Sequence, residues 1–308
     1  MIHLEKIMKK VVFLFVFIGY FVSAQNKADT LDLSEYPHRF TLQKQIGETS
    51  GVEYYKGFLY TFNDSDNPAE IYKLDAETGH ILQTLKVKGA KNVDWEEITR
   101  KGDTLFIGDF GNNLGNRKDL MIYSIKLPKD TVNEWITVDV IDKIPFVFED
   151  QTDFSNTEYL TTNFDCEAFV YYNGNLHIFT KQWGNNQTTH YQLDLNSDEN
   201  PKVARKIETF NTECAITGAY IFNNELYMIG YTKETFAYVW KFSRFSDGKF
   251  FNDQAQKIFI GFTPSISQVE GIAVTEDKVY ITGEGFEYFI YHADPTLYVI
   301  DKGDLKSF

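Results

Sequence analysis

The sequence contains one short pattern that recurs five times along the chain. In each copy a hydroxyl or acidic residue is followed, after a turn, by a hydrophobic residue and then by an aromatic residue or histidine. The copies begin at Ser50, Glu96, Glu167, Thr217 and Glu270, and the matching aromatic or histidine positions are Tyr60, Phe106, His177, Tyr227 and Tyr280. Turn residues such as Asn173-Gly174 separate the two halves, so each copy predicts a β-hairpin. A chain with such a repeat is expected to form an array of similar units.

Two further β-rich runs follow most hairpins, as in Ile71 to Leu74 and Ile81 to Val87. Four antiparallel strands in a repeat of about 40 to 50 residues are typical of a propeller blade. The sequence therefore predicts an all-β fold, a β-propeller of five four-stranded blades. The longer interval between Glu96 and Glu167 leaves six blades as the alternative.

The two ends of the repeat region complement each other. The last copy lacks an outer strand after Lys302, whereas residues 39 to 46 form a β-rich run that precedes the first copy. We expect residues 39 to 46 to pair with the strand near Tyr298 to Asp301, which would close the ring with both ends of the chain in one blade.

The N-terminus has the order of residues that is typical of an export signal. Basic residues up to Lys10 precede an apolar run from Val11 to Val22, which ends in Ser23-Ala24. This run is shorter than the roughly 20 residues that span a bilayer, so it predicts a signal peptide and not a membrane anchor. We expect a signal peptide at 1–24, a single propeller domain at 25–308, and a secreted or periplasmic protein.

The charge of the chain restricts its partners. The formal net charge is −14, which disfavours nucleic acid and anionic membranes as partners. A surplus of carboxylates is compatible with binding of divalent cations.

The first strand of each blade lines the axis of a propeller, so equivalent positions in the five copies form a ring. That ring consists of Ser50, Glu96, Glu167, Thr217 and Glu270. Carboxylates that converge in a narrow channel raise each other's pKa unless a cation balances them. Oxygen ligands favour Ca²⁺, with Mg²⁺ as the second choice. Glu97 leaves the register open, because either Glu96 or Glu97 could point inward.

The loops at the same end of the blades supply further polar and aromatic side chains. Asp64 and Asp94 are the candidate catalytic residues, because a carboxylate beside a bound cation can activate water. The candidate ligand-binding residues are Asn63, Asp109, Asn112, Arg117, Lys181, Trp183, Lys233 and Glu284.

Two stretches resemble motifs of the calcium-activated nucleotidase (apyrase) family. Ser50 to Tyr60 is similar to the motif of its first blade, and Val269-Glu270-Gly271-Ile272 is similar to that of its last. The resemblance implies a five-bladed propeller with an axial Ca²⁺ that hydrolyses nucleoside di- and triphosphates. Gly51 stands where the family has Glu, and Asn63-Asp64-Ser65 replaces its acidic-acidic-Arg loop, so the resemblance implies the metal ring rather than the recognition of phosphate. The Glu-Gly-Ile element also resembles lactonase-like and esterase-like phytase propellers.

Two functions from different classes remain open. The protein is either a calcium-dependent hydrolase of a small phosphate or ester substrate, or a propeller that binds a glycan or protein ligand and uses the metal only for structure. The fold hosts both classes. Cys166 and Cys214 lie beside ring positions of neighbouring blades, and export would permit a disulfide between them as well as two buried thiols.

Overall fold

The computed structural model describes residues 29–305, except 130–132, 247, 253 and 289–290. The predicted signal peptide lies outside the described residues. None of the helices in the described part has the length and apolar character that a membrane span requires.

The described chain begins with short elements, of which the two strands pair with the last two blades. Two strands and two 3-10 helices precede the first blade: β1 (Asp29–Thr30), the helix Leu33–Glu35, β2 (Arg39–Thr41) and the helix Lys44–Ile46. Blade 1 follows as β3 (Thr49–Tyr55), β4 (Phe58–Asn63), β5 (Glu70–Asp75) and β6 (Ile81–Lys88). Its strands pair in chain order and are antiparallel.

Three more units repeat this order. Blade 2 consists of β7 (Trp95–Lys101), β8 (Thr104–Asp109), β9 (Met121–Lys126) and β10 (Trp135–Phe148). Blade 3 consists of β11 (Asp165–Tyr172), β12 (Asn175–Lys181), β13 (Thr188–Asp194) and β14 (Lys202–Phe210). Blade 4 consists of β15 (Ala215–Phe222), β16 (Glu225–Tyr231), β17 (Phe236–Ser243) and β18 (Gln256–Phe262), and β1 lies parallel to β18 at its outer edge.

The last unit combines strands from both ends of the chain. After a short helix, Thr263–Ile266, the remaining strands are β19 (Gln268–Val274), β20 (Lys278–Glu284), β21 (Phe286–Tyr288), β22 (Tyr291–Ala293) and β23 (Thr296–Asp301), and the 3-10 helix Lys302–Leu305 ends the described chain. Blade 5 has the order β19-β20-β23-β2, while β21 and β22 form a separate hairpin. Arg39 pairs with Tyr298 and Thr41 with Thr296, so the predicted ring closure is confirmed for Arg39–Thr41. Lys44–Ile46 leaves the sheet as a 3-10 helix instead.

The first strands of the blades contact each other in a ring. Among the described residues, β3 contacts β7, β7 contacts β11, β11 contacts β15, β15 contacts β19, and β19 contacts β3. The predicted all-β propeller is therefore confirmed. Hydrophobic side chains fill the space between neighbouring blades: Phe62 of blade 1 meets Trp95 of blade 2 edge to face at 5.4 Å, and Phe110 meets Phe169 of blade 3 at 5.1 Å. Such aromatic pairs fix the orientation of one blade on the next.

The long interval between the second and third copies has two structural uses. Strand β10 is 14 residues long and runs past its own blade. It pairs in parallel with β6 through Trp135 to Asp139 and with β14 through Phe146 to Phe148. Part of the outer edge of each of three blades is thereby paired, which shortens the exposed strand edges. The residues between β10 and β11 then return over the axis, where they reach the candidate site.

Candidate functional site

A β-bulge marks the ring position of each inner hairpin. The pairing register shifts across each of the five ring residues, for example between Trp95 and Glu97 and between Cys166 and Ala168. A bulge leaves its extra residue outside the ladder and re-aims its side chain. The bulges explain how residues on regular inner strands are turned toward one end of the axis.

Four of the five predicted ring residues line one cavity of about 360 Å³, which we call the axial cavity. Its walls are formed by Ser50, Asp64, Glu96, Asn113, Tyr159, Leu160, Glu167, Lys181, Trp183, Tyr231, Gln268, Glu270 and Glu284. The fifth ring residue, Thr217, is fully buried and donates a hydrogen bond to the carbonyl oxygen of Val269 at 2.8 Å. The hydroxyl of Ser50 likewise donates to the carbonyl oxygen of Glu96 at 2.7 Å. The two hydroxyls therefore join neighbouring inner strands.

Three carboxylates from blades 1 and 2 come together, and two of them, Asp64 and Glu96, line the cavity. One ligand oxygen each of Asp64, Asp94 and Glu96 lies within 4.8 Å of the other two. Asp64 follows β4, Asp94 precedes β7, and Glu96 is the bulge residue of β7. In the described part of the chain this is the one group of three or more acidic, histidine or cysteine side chains with that spacing. Asp64, Asp94 and Glu96 are thus a second possible set of cation ligands, besides the predicted ring of Glu96, Glu167 and Glu270.

Lys181 occupies the part of the cavity where Glu167 and Glu270 lie. Its ammonium group forms an ion pair with Glu167, and each of the two side chains is 6% exposed. The charges of Glu167 and Glu270 raise the pKa of Lys181 well above its usual range, although burial alone would lower it. The ammonium also lies 5.1 Å from the Trp183 ring centre and 5.6 Å from that of Tyr231. The ammonium group of Lys181 therefore balances the charge in this half of the ring. Because it is paired with Glu167, it is not free to bind an anionic ligand as predicted.

Burial and mutual repulsion make the carboxyl groups of the site poor acids. The pKa of Asp94 is raised to about 7, first by burial and then by the charge of Asp64. Burial, and next the charge of Glu167, raises the pKa of Glu96 well above its usual range. The pKa of Glu284 is raised to about 7 by burial and by Asp64. Carboxylates in this state bind protons or cations readily, because either one removes the repulsion.

Arg117 stabilises the loop beside the carboxylates instead of facing the cavity. Its guanidinium lies 3.0 Å from Asp109 and 3.1 Å from Asp119, and it donates to the carbonyl oxygen of Gly111 at 2.9 Å. Asp109 in turn accepts from the backbone N–H of Asp94 at 3.1 Å. These two predicted ligand-binding residues therefore position Asp94.

Asn112, Asn63 and Lys233 also lie outside the axial cavity. Asn112 donates to the carbonyl oxygen of Phe164 at 3.0 Å, which ties the β8–β9 loop to blade 3. Asn63 donates to the carbonyl oxygen of Gln45 at 2.8 Å, and Lys233 is exposed on the β16–β17 loop. Trp183, Lys181 and Glu284 do line the cavity, and their predicted role in ligand binding stays a prediction.

Sequence reasoning did not single out Tyr159, Leu160 or Tyr231 as site residues. Tyr159 and Leu160 belong to the segment between β10 and β11, and the backbone N–H of Leu160 donates to the carbonyl oxygen of Asn113 at 3.1 Å. The only sequence signal for them is the long interval after Glu96. Tyr231 lies at the end of β16, two residues before the predicted ligand-binding residue Lys233.

Glu97 resolves the register question at the ring. Glu96 lines the cavity, whereas Glu97 is fully buried deeper along the axis. Its carboxylate accepts from the backbone N–H of Ile98 at 2.9 Å and of Ala219 at 3.0 Å. A Cβ at Gly51 would overlap this carboxylate, which explains why a glycine stands opposite Glu97 in blade 1.

The cysteines near the ring are buried free thiols. Cys166 and Cys214 are both fully buried and unbonded. Burial raises the pKa of the Cys214 thiol to about 12. Of the two alternatives that the sequence left open, the structure has the thiols.

Comparisons with known proteins support the fold. No protein-family profile matches the chain, and no curated protein matches its sequence. Similar solved structures include an exo-β-1,3-galactanase from Phanerochaete chrysosporium with galactose, at a TM-score of 0.51 and 10% identity, which covers 84% of this chain and 62% of that chain. A variant of that enzyme with β-1,3-galactotriose matches at a TM-score of 0.50 and 12% identity, with the same coverage. The chain thus spans 62% of the galactanase. At this identity the likeness shows the propeller fold alone, and it does not point to the nucleotidase or phytase families.

Proposed function

We propose that the axial cavity holds a divalent cation between Asp64, Asp94 and Glu96, and that the protein is a cation-dependent hydrolase. The observation that carries this proposal is the spacing of the three carboxylates, whose ligand oxygens lie within 4.8 Å of one another, with Asp64 and Glu96 in the cavity wall. Two oxygens that share a Ca²⁺ at about 2.3–2.6 Å are at most about 5 Å apart. The spacing therefore suits Ca²⁺, with Mg²⁺ as the second choice.

The surroundings of the three carboxylates fit a cation. A Cβ at Gly111 would overlap the carboxylates of Glu96 and Asp94, so glycine allows the β8–β9 loop to pack directly against them. Asp165 is fully buried beside this group, and its Oδ2 has no hydrogen-bond partner among the described residues. Its charge also raises the pKa values of Asp94 and Glu96. An unpaired buried carboxylate oxygen costs free energy that a nearby positive charge reduces.

The residue best placed to transfer a proton is Glu284, not Asp64 or Asp94 as the sequence predicted. Asp64 and Asp94 were the candidate catalytic bases, but their spacing with Glu96 suits cation ligands better. Glu284 lines the same cavity, and its pKa of about 7 lets it accept or donate a proton near neutral pH. Gln268 donates to Glu270 at 2.7 Å and also hydrogen-bonds Glu284, which fixes the position of Glu284. A bound cation would supply a polarised substrate oxygen or water.

The charge of the cavity restricts the substrate. Its described walls carry five acidic side chains, Asp64, Glu96, Glu167, Glu270 and Glu284, and one basic side chain, Lys181. Such a cavity repels a phosphate dianion more strongly than an uncharged group. We therefore place neutral esters and glycosides before the phosphate esters that the nucleotidase resemblance implied. The galactose in the structure of the galactanase with the same fold makes a sugar a reasonable first choice.

Ligand binding without catalysis is the second candidate. The observation in its favour is the ion pair of Lys181 with Glu167. Because these two side chains bind each other, they stabilise the fold and are not free to act on a substrate. In that case the cation would stabilise the fold, and the loops would bind a glycan or a protein. For either candidate, we also propose that the chain is exported.

The test is to titrate calcium into chelator-treated mature protein. Calorimetry measures the binding, and thermal unfolding measures the melting temperature. We expect Ca²⁺ to bind and to raise the melting temperature, because it binds only the folded state. Asp94→Asn and Glu96→Gln should each weaken binding at least about tenfold, whereas Asp139→Asn, an exposed acid on β10, should not. Unchanged calorimetric and melting curves would disprove the cation site.

Catalysis is tested on aryl esters, aryl glycosides and aryl phosphates with Ca²⁺ and with chelator. The hydrolase proposal requires turnover that the chelator abolishes, with phosphates the poorest of the three classes. Calcium binding without any turnover would support the second candidate instead.

A further inference from the structure

A second depression borders the axial cavity and has no role in the proposed reaction. We call it the outer groove. It has a volume of about 440 Å³ and lies between the 3-10 helix Lys44–Ile46, the β4–β5 loop and the β21–β22 hairpin. Volumes of about 300–1,000 Å³ are typical of small-molecule sites.

The outer groove and the axial cavity adjoin each other on two sides. Asn63 lines the groove, and the next residue, Asp64, lines the cavity. In the same way Gly285 lines the groove, and the preceding residue, Glu284, lines the cavity. Consecutive residues at two places therefore line the two depressions, which makes them neighbours.

The groove between these two walls has a backbone floor. The N–H of Gly285 donates to the carbonyl oxygen of Gly47 at 2.9 Å, which joins the end of blade 5 to the start of blade 1. A Cβ at Gly285 would lie 2.8 Å from the Cδ of Pro295, closer than side-chain atoms approach. The glycine is therefore needed for this close contact, and it keeps the floor free of a side chain.

The groove presents amide, imidazole and carboxylate groups and one aromatic ring. Asn67 donates to Glu48 at 2.6 Å, and His292 lies 3.2 Å from Asp294 and 3.5 Å from Glu287. The three carboxylates thus already have partners within the groove. Phe286 offers a half-buried apolar ring next to them.

This combination suits a hydroxyl-rich, uncharged ring. Carboxylates accept hydrogen bonds from hydroxyls, amide groups both donate to and accept from them, and an aromatic face covers the C–H surface of a sugar. A phosphate would need more positive charge than Lys44 supplies. We infer that the outer groove binds further sugar units of an extended neutral oligosaccharide whose reacting unit lies in the axial cavity. This inference rests on the proposed function, because it places the reacting bond in that cavity.

The test compares ligand length, using cello-oligosaccharides and β-1,3-galacto-oligosaccharides of one to four units. Binding is measured by calorimetry in chelator, where no turnover is expected, and again in Ca²⁺. We expect the affinity for at least one series to increase about tenfold or more between one and three units, as a few added hydrogen bonds and a ring contact would produce. Phe286→Ala should remove this increase and leave monosaccharide binding unchanged.

Matched variants separate loss of the ring contact from loss of the fold. Phe286→Tyr keeps an aromatic face and should keep the increase. Trp135→Ala removes an exposed aromatic ring outside both cavities and should also keep it. Equal affinity at all lengths, an increase that survives Phe286→Ala, or binding of a lysine-rich peptide in place of the oligosaccharides would overturn the inference.

The outcome also distinguishes this inference from the hydrolase proposal. If affinity increases with length but no sugar or ester is hydrolysed in Ca²⁺, the groove inference stands and the hydrolase proposal fails. If sugars are hydrolysed with one KM at every length in wild type and in Phe286→Ala, the hydrolase proposal stands and the groove inference fails.

Discussion

The carboxylate of Glu97 accepts a hydrogen bond from the backbone N–H of Ala219 at 3.0 Å and thereby links blade 2 to blade 4 across the axis. The backbone of Val52 in blade 1 also hydrogen-bonds this carboxylate. A single side chain therefore joins three blades at the centre of the ring, where a glycine or alanine stands in the other four copies of the repeat.

We expect Glu97→Ala to lower the free energy of unfolding by about 2–4 kcal/mol, because it leaves buried N–H groups without acceptors. Glu97→Gln should cost about half as much, since its amide oxygen still accepts from one of them. Denaturant unfolding measures both variants, with the exposed Glu77→Ala as control. Equal stability of Glu97→Ala and wild type would show that the axial bonds contribute nothing.

The ion pair of Lys181 and Glu167 should be costly to break from one side. Lys181→Met leaves a buried, unpaired carboxylate, and we expect it to cost about 3–5 kcal/mol. The double variant Lys181→Met/Glu167→Gln removes both charges and should recover most of that loss. A double-mutant cycle by denaturant unfolding gives the coupling between the two residues. Additive losses in the cycle would contradict direct pairing.

Glu53, which lies outside the axial cavity on β3, should make the free energy of unfolding depend on pH. Its buried carboxylate accepts from Arg100 at 3.0 Å and from Tyr220 at 2.9 Å, yet burial raises its pKa from 4.5 to about 7. The folded state therefore keeps this proton to a higher pH than the unfolded state does. The stability that the proton provides is complete below about pH 4.5 and is lost as the pH rises through about 7.

The measurement is the free energy of unfolding from pH 4 to pH 8 for wild type and Glu53→Gln. Other buried acids, such as Asp94, titrate in both proteins, so the comparison uses the difference between the two curves. Wild type should lose up to about 1.4 kcal/mol per pH unit more than the variant in this window. Parallel curves would show that Glu53 does not titrate there.

The two cysteines should be unreactive in the native protein. Both thiols are buried, and burial raises their pKa values, so the reactive thiolate is scarce. We expect no reaction with a thiol reagent at pH 8 before unfolding, and two thiols per chain after unfolding without reductant. Recovery of no thiols in the denatured protein would instead show a disulfide.

The repeat in the sequence was sufficient for the fold and for part of the site. The alternation of β-rich runs and turns determined the hairpins, and the five equivalent positions indicated a polar ring near the axis. The structure decided between Glu96 and Glu97 and placed Thr217 outside the cavity lining. The pairing of Arg39–Thr41 with β23 also followed from the missing outer strand. These features depend on local pattern, which a sequence carries directly.

The partners of the ring residues depended on tertiary structure. Glu96 and Glu167 occupy equivalent positions in the repeat, but Glu167 faces Lys181 from its own blade, whereas Glu96 faces Asp64 from the neighbouring one. The bulge at each ring position sets the direction of these side chains, and no residue type in the sequence marks it. The segment with Tyr159 and Leu160 reaches the cavity from an insertion that the repeat does not describe. The sequence by itself therefore determined the blade pattern and the acidic axis. The packing of distant segments decided which carboxylates lie next to a lysine and which lie next to each other. The reason is that charge balance depends on distances between blades, which the local spacing of residues does not give.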